Sequence, residues 1–307
     1  MKNGQMWLDT NNNPIQAHGG CILKYNGVFY WYGEHKGIEN RPGKTEVDMI
    51  GVSCYSSLDL CAWKYEGLVL QADKENKESY LYYKNILERP KVLYNEKTQK
   101  FVMWMHLENE NRTQPNVGVA VCDTPTGEFT LLSCFRPNWA ESRDMTLYKD
   151  VDGAAYLFHS SDANRTMCVA RLTKDYLKTD GLFVSVLIDQ DREAPTICLK
   201  NGKYYMVTSG CTGWASNTAL YATSPYLMGK WKLIDNPCEG ENYRQTFYGQ
   251  SAFILEDDGK YYMLLDHWMP ENLQESGYSI LPIEFNVNGD MTIRWKTYWK
   301  GIDGKDI

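Results

Sequence analysis

His18, Glu88, Asp144, Glu193 and Gln250 are far apart in the chain, yet each holds the same place before a short turn phrase. The phrases are Asn26-Gly27-Val28-Phe29-Tyr30, Thr98-Gln99-Lys100-Phe101-Val102, Asp152-Gly153-Ala154-Ala155-Tyr156, Asn201-Gly202-Lys203-Tyr204-Tyr205 and Asp258-Gly259-Lys260-Tyr261-Tyr262. Four of the residues stand eight positions before the first residue of their phrase, and Glu88 stands ten before Thr98. If the fold brings them together, three carboxylates share one place with Arg89, Arg143 and Arg192 beside them in sequence. Crowded carboxylates raise one another's pKa and a nearby arginine lowers it. Such a cluster can hold one acid protonated beside an ionised partner, the state that glycosidic bond cleavage requires. Singly, each carboxylate reads equally well as a strand-end ion pair; the shared position favours chemistry.

The elements that must position these residues follow from the phrases. An apolar run precedes each turn, as in Cys21-Ile22-Leu23 and Thr196-Ile197-Cys198-Leu199, and an aromatic run follows, as in Phe29-Tyr30-Trp31-Tyr32. Asn-Gly and Asp-Gly between such runs signal a hairpin, because both central residues of a type I′ turn need positive φ. A strand of small residues then recurs, Gly51-Val52-Ser53-Cys54 or Gly118-Val119-Ala120-Val121, and a turn with Trp or Phe leads to an outer strand. Each unit therefore reads as four antiparallel strands of about 50 residues, the size of a propeller blade. The expected fold is an all-β, five-bladed β-propeller forming one domain over residues 1–307. The longest insertion is expected at residues 64–87, with a short helix over Lys77–Leu87. In a propeller the innermost strands line a central channel, so the five residues should meet at one mouth.

Bulk composition narrows the partners. A net charge of −7 lacks the basic footprint of a nucleic-acid binder. No run of about 18 apolar residues is present, so membrane insertion is not expected. Met1-Lys2-Asn3-Gly4-Gln5 has no apolar signal-peptide core. The nine cysteines form no C-x-x-C pair and fall mostly in strand-like runs, as small buried hydrophobes do. The 22 tyrosines and 10 tryptophans fit both strands and sugar stacking, uses that composition alone does not separate.

The phrases Ala17-His18-Gly19-Gly20, Trp31-Tyr32-Gly33-Glu34-His35-Lys36, Glu88-Arg89-Pro90-Lys91-Val92, Ser142-Arg143-Asp144-Met145, Arg192-Glu193-Ala194-Pro195, Ser209-Gly210-Cys211-Thr212-Gly213-Trp214 and Gly249-Gln250-Ser251 carry a resemblance to glycoside hydrolase family 43. They look most like its exo-β-1,3-galactanase branch. The resemblance spans Trp7 to about Trp295 and implies an inverting glycosidase acting on galactan or arabinogalactan. It implies Glu193 as acid and Asp144 as the residue that tunes and orients it. The base carboxylate usual on the first blade is missing, for that position reads Ala17-His18-Gly19. The resemblance puts Gln250 in that role. Plain chemistry favours Glu88, a true carboxylate, with His18 a third candidate since neutral imidazole is basic enough. Arabinofuranosides, galactofuranosides and xylosides are alternative substrates, and a non-catalytic carbohydrate-binding propeller is the alternative from another class.

Further candidates for binding a sugar are His18 itself, Glu34 after the first blade's second strand, Trp104 and His106 after the second hairpin, and Asp162 and Asn164 in a loop of blade three. Trp214 on blade four and His267 with Trp268 on blade five complete the set. The expected partner is an oligo- or polysaccharide substrate. No cofactor is required; the resemblance allows a calcium ion in the central channel, although no EF-hand-type loop or zinc spacing occurs. A soluble chain is expected with its compartment open, and family members are commonly exported.

Overall fold

The computed structural model describes residues 1–302 and has five antiparallel sheets, one per turn phrase. Blade one is β1 (His18–Tyr25), β2 (Val28–Glu34), β3 (Gly51–Ser57) and β4 (Lys64–Gln71). Blade two is β5 (Ile86–Asn95), β6 (Lys100–Glu108), β7 (Asn116–Cys122) and β8 (Thr130–Phe135), and blade three is β9 (Met145–Lys149), β10 (Ala155–Ser161), β11 (Thr166–Leu172) and β12 (Thr179–Val186). Blade four is β13 (Arg192–Lys200), β14 (Lys203–Gly210), β15 (Leu220–Ser224) and β16 (Lys232–Asp235). Blade five is β18 (Gln250–Asp257), β19 (Lys260–His267), β20 (Gly277–Phe285) and β21 (Met291–Arg294), extended by a short parallel strand, β17 (Cys238–Glu239).

The innermost strands β1, β5, β9, β13 and β18 each touch the next, and β18 touches β1, which closes the ring. The turn chemistry is as expected at Asn26-Gly27, Asn201-Gly202 and Asp258-Gly259, each with two positive φ values, but not at Asp152-Gly153, where only Gly153 is left-handed in a wider turn between Lys149 and Ala155. Among the described residues every blade uses consecutive strands, and no strand exchange locks the ring. The first and last described segments are instead sewn together. Met1 and Trp299 exchange backbone hydrogen bonds, and Asn3 Nδ2 donates to Ile280 O and Lys296 O.

Five apolar clusters hold the ring together. They pair blades one and two, two and three, three and four, four and five, and five and one. The last contains Trp7, Trp31, Trp63, Tyr278 and Trp299, so much of the aromatic content serves packing. A buried Trp31 truncated to alanine would cost roughly 3–5 kcal/mol. Gly20 marks where the hairpin of blade one leaves no room, because a Cβ there would lie 1.9 Å from Tyr32 O.

Two expectations are corrected. Residues 64–71 are strand β4, so the insertion between blades one and two is 72–85, and Lys77–Leu87 contains no helix. Asp73 Oδ1 accepts from Glu75 N and Asn76 N, Asn76 Oδ1 from Glu78 N, and Ser79 Oγ from Leu81 N. Side chains that bond nearby backbone in this way compete with helix formation. A second insertion, residues 35–50 between β2 and β3, was not foreseen, and it forms one wall of the site described next.

Candidate active site

The five residues of the sequence pattern do stand at the tops of the inner strands, and a backbone irregularity helps to aim them. Register shifts follow His18, Glu88 and Glu193 at once. The next residue in each case is left-handed: Gly19 at φ 58°, Arg89 at 56° and Ala194 at 52°. A bulge of this kind re-aims side chains at a strand end. It also frees one backbone N–H, and a carboxylate of the preceding blade accepts it. Gly19 N donates to Asp266 Oδ2 at 2.9 Å, Arg89 N to Glu34 Oε1 at 2.9 Å, and Ala194 N to Asp144 Oδ2 at 3.0 Å.

Arg89 is the hub. Its guanidinium is buried and reaches Asp144 Oδ2 at 2.9 Å, Gln250 Oε1 at 2.6 Å and Ser251 O at 3.0 Å. Burial disfavours its charge, but Asp144, Asp266 and Glu34 more than offset this and keep it protonated. Glu193 is in the opposite situation. Burial first, and then the charge of Asp144, push its carboxyl up to about 8, against a smaller downward pull from Arg89. Its oxygens accept from Gln250 Nε2 at 3.1 Å and Asn164 Nδ2 at 3.2 Å. An acid held protonated beside a carboxylate pinned by arginine is the split that acid catalysis of glycoside cleavage needs.

Glu88 faces the pocket and is held ionised. Burial opposes its charge, but the hydrogen bond from His106 and the charge of Arg112 prevail and set its carboxyl well below the ordinary range. His106 Nδ1 lies 3.1 Å from Glu88 Oε2 and Nε2 lies 3.2 Å from Glu108 Oε2, so the ring is an imidazolium between two carboxylates. Those partners outweigh burial and raise it to about 9.

A cavity of about 330 Å³ opens over these groups, lined by Glu34, Lys36, Glu46, Glu88, Arg89, Arg112, Asp144, Glu193, Gly213, Trp214, Gln250 and Trp268. Trp214 and Trp268 meet edge to face at 5.3 Å and form its aromatic wall. Trp214 Nε1 donates to Thr45 Oγ1, so the 35–50 insertion fixes that wall. Lys36 Nζ pairs with Glu34 Oε2 at 2.7 Å.

Several candidates do not reach the cavity. His18 is fully buried, stacked on Tyr278 at 4.7 Å and 3.3 Å from Asp266; it backs Trp268 and meets no solvent. Trp104 is also fully buried, packs between blades two and three, and donates to Tyr176 O. His106 stands behind Glu88, and Asp162 pairs with Arg165 on the surface. His267 is buried against Ser279 Oγ at 2.7 Å, and its neighbour Trp268 points into the cavity instead. The strand ends at His267, so the loop that follows sets the direction of Trp268. Lys36, Glu46 and Arg112 were not foreseen as lining residues, whereas Trp268 was. One signal was available: the residues paired across from His18, Glu88, Glu193 and Gln250 are Glu34, His106, Ser209 and Asp266, a second polar tier.

The channel does not suit calcium. Lys91, fully buried two positions after Arg89, donates its ammonium to Gly19 O at 2.5 Å. Burial lowers it to about 8, with Cys21 acting the other way. A cation there opposes a divalent ion, and among the described residues no group of three or more His, Cys, Asp or Glu is placed to hold a metal. Among the described residues no helix is long and apolar enough to cross a membrane.

A family profile described as Glycosyl hydrolases family 43 matches residues 13–289. No curated protein sequence matches the chain. Among solved structures, a GH43 β-1,3-galactosidase in complex with galactodeoxynojirimycin is 36% identical, with a TM-score of 0.93, covering 97% of this chain and 99% of that one. The exo-β-1,3-galactanase of Phanerochaete chrysosporium, solved with galactose, is 32% identical with a TM-score of 0.86, covering 95% of this chain and 66% of its own. The exo-β-1,3-galactanase from Clostridium thermocellum is 35% identical with a TM-score of 0.86, covering 96% of this chain and 65% of its own.

Proposed function

The chain belongs to glycosyl hydrolase family 43, and from that premise we propose that it releases terminal galactose from β-1,3-linked galactan with inversion of the anomeric centre. The observation that carries the catalytic reading is the pair at the floor of the cavity. Glu193 keeps its proton to about 8, while Asp144 beside it is fixed by Arg89 and Ala194 N. The substrate reading is supported by the galactose and galactodeoxynojirimycin bound by relatives that align over nearly all of this chain.

A terminal sugar fits the cavity with Trp214 and Trp268 beside it and Glu34, Lys36 and Arg112 within reach of its hydroxyls. Glu193 donates its proton to the glycosidic oxygen as the bond breaks, and positive charge grows on the ring. Asp144 then stabilises that charge and, through Arg89, keeps the remaining groups in place. Water must attack from the face opposite the acid. His18 has no access to it. Gln250 stands beside the acid itself: its NH2 donates to Glu193 Oε1 and Ser209 Oγ, and its carbonyl already accepts from Arg89 and Trp268. Glu88, an ionised carboxylate on another blade, is therefore the group that accepts the water proton. A weak base suffices where the sugar is already close to an oxocarbenium ion.

The test is incubation of the protein with β-1,3-galactan and β-1,3-galactobiose, with the released sugar followed by proton NMR. Galactose appearing first as the α anomer is expected. A first-formed β anomer would overturn inversion, and binding without release would support the lectin-like alternative.

A further inference from the structure

The loop between β10 and β11 holds three consecutive left-handed residues. Asp162, Ala163 and Asn164 have φ values of 51°, 53° and 67°, and none is glycine. Left-handed residues of this kind cost roughly 1–3 kcal/mol each and persist where the surroundings impose them. The surroundings here are Ala163 N donating to Glu141 Oε2 at 3.0 Å and Gln190 N donating to Arg165 O at 3.1 Å. The product of this strain is one contact: Asn164 Nδ2 lies 3.2 Å from Glu193 Oε2. The other end of the same amide, Oδ1, is buried and has no hydrogen-bond partner.

This arrangement suits an ionised Glu193 and not a protonated one. A protonated carboxyl has an O–H that needs an acceptor. Gln250 does not supply it, because its NH2 faces Glu193 and its carbonyl is held by Arg89 and Trp268. Turning Gln250 over would break both of those bonds. Asn164 is under no such constraint, and rotating its amide by half a turn exchanges the donor for the acceptor. Either orientation leaves one amide atom without a partner, so the proton on Glu193 decides between them.

We propose that Asn164 is a positioning residue whose amide turns over with the proton on Glu193. In the free protein its carbonyl accepts the acid's O–H, which turns to the glycosidic oxygen when substrate is bound, and its NH2 donates to the carboxylate once the proton has left. The unpartnered oxygen is the acceptor vacated in the second state. The groups that face Glu193 from the other elements are Asp144 before β9, Glu88 and Arg89 on β5, Gln250 on β18 and Cys211 after β14. None of them exchanges donor for acceptor without losing another bond, except the Cys211 thiol, a weak partner.

The inference rests on Glu193 being the acid, and two measurements separate the ideas. In Asn164→Ala the protonated acid loses its acceptor and the carboxylate its donor, so the basic limb of kcat/KM should stay near its wild-type pH, with kcat falling more than KM changes. A fixed donor role predicts a limb moved to higher pH. That result, or an unchanged kcat, overturns the proposal. Neutron diffraction from crystals of the unaltered protein, below and above the Glu193 titration, needs no turnover and no variant that folds. Oδ1 facing Glu193 below it and the amide deuterons facing Glu193 above it are expected. One orientation at both values overturns the proposal. If Glu193→Gln still released galactose, the acid reading would fail whatever Asn164 does.

Discussion

Replacing Glu193 with glutamine is expected to remove most hydrolysis and, at alkaline pH, to make the fold more stable. The carboxyl is raised from an ordinary 4.5 to about 8 by burial and by Asp144. Between those values the unfolded chain has given up the proton and the native state still binds it. Native stability therefore falls as pH rises from 4.5 to about 8 and is level above that. At about 1.4 kcal/mol per unit, the full shift corresponds to at most roughly 5 kcal/mol. Glutamine has no proton to lose and keeps the shape of the protonated acid, and its NH2 can donate to Asn164 Oδ1 once that amide has turned over. Calorimetry on both proteins should show matching melting temperatures below the ordinary carboxyl range. Above about 8 the variant should melt several degrees higher, since roughly 1–2 °C is expected per kcal/mol at this chain length. Loss of acid catalysis should lower kcat by about 10²–10⁴-fold on galactan, and less on an aryl galactoside with a good leaving group. A variant that melts lower than wild type at alkaline pH would refute the claim that burial and Asp144 hold the proton on Glu193.

Other outcomes follow from the same groups. The pH profile of kcat/KM should fall above about 8 as Glu193 ionises, while the acid limb is displaced downward because His106 and Arg112 keep Glu88 ionised; an acid limb at an ordinary carboxylate value would contradict that. Glu88→Ala should be inactive on galactan, and azide should rescue it by giving α-galactosyl azide from an aryl β-galactoside. Rescue of Gln250→Ala with that stereochemistry, and not of Glu88→Ala, would move the base to blade five. Gly20→Ala should not fold, since its Cβ would sit 1.9 Å from Tyr32 O, whereas Ala194→Gly, which relieves a left-handed alanine, should be neutral or stabilising by about 1 kcal/mol. Thermal melts of the two would decide this.

The ring was legible because the length of an inner strand is fixed by its hairpin. A residue at constant distance before a turn must stand at a constant height, and this located Glu88, Asp144, Glu193 and Gln250 without coordinates. Height along a strand does not settle which face a residue takes or what covers it. His18 occupies the right height and is sealed under Trp268, and Trp104 fills a blade interface. His267 and Trp268 exchange roles because the pattern ends where the strand ends, and the loop beyond it sets the direction. The 35–50 insertion carries no repeat, so its part in holding Trp214 through Thr45 appears only when distant segments meet. Asp266 reads in sequence as an ordinary charge at the end of an aromatic strand. Its work, accepting Gly19 N across the blade-five to blade-one junction, depends on ring closure.

The bulge N–H groups capped by the preceding blade have a consequence for cooperativity. Linear repeat arrays fray from their ends, because terminal repeats have one neighbour. Here Asp266 joins blade five to one, Glu34 joins one to two, and Asp144 joins three to four through bulge N–H groups, while Arg89–Asp144 and Gln250–Glu193 link the other two junctions at the same mouth. The array has no end from which to fray, and blades should be lost together and not one after another. In the proposed mechanism Glu34 and Asp144 serve the sugar and the closure with the same carboxylates. Substitutions there would be selected against twice, and drift toward another activity would have to begin at the loops, where the wall residues Glu46 and Trp214 stand.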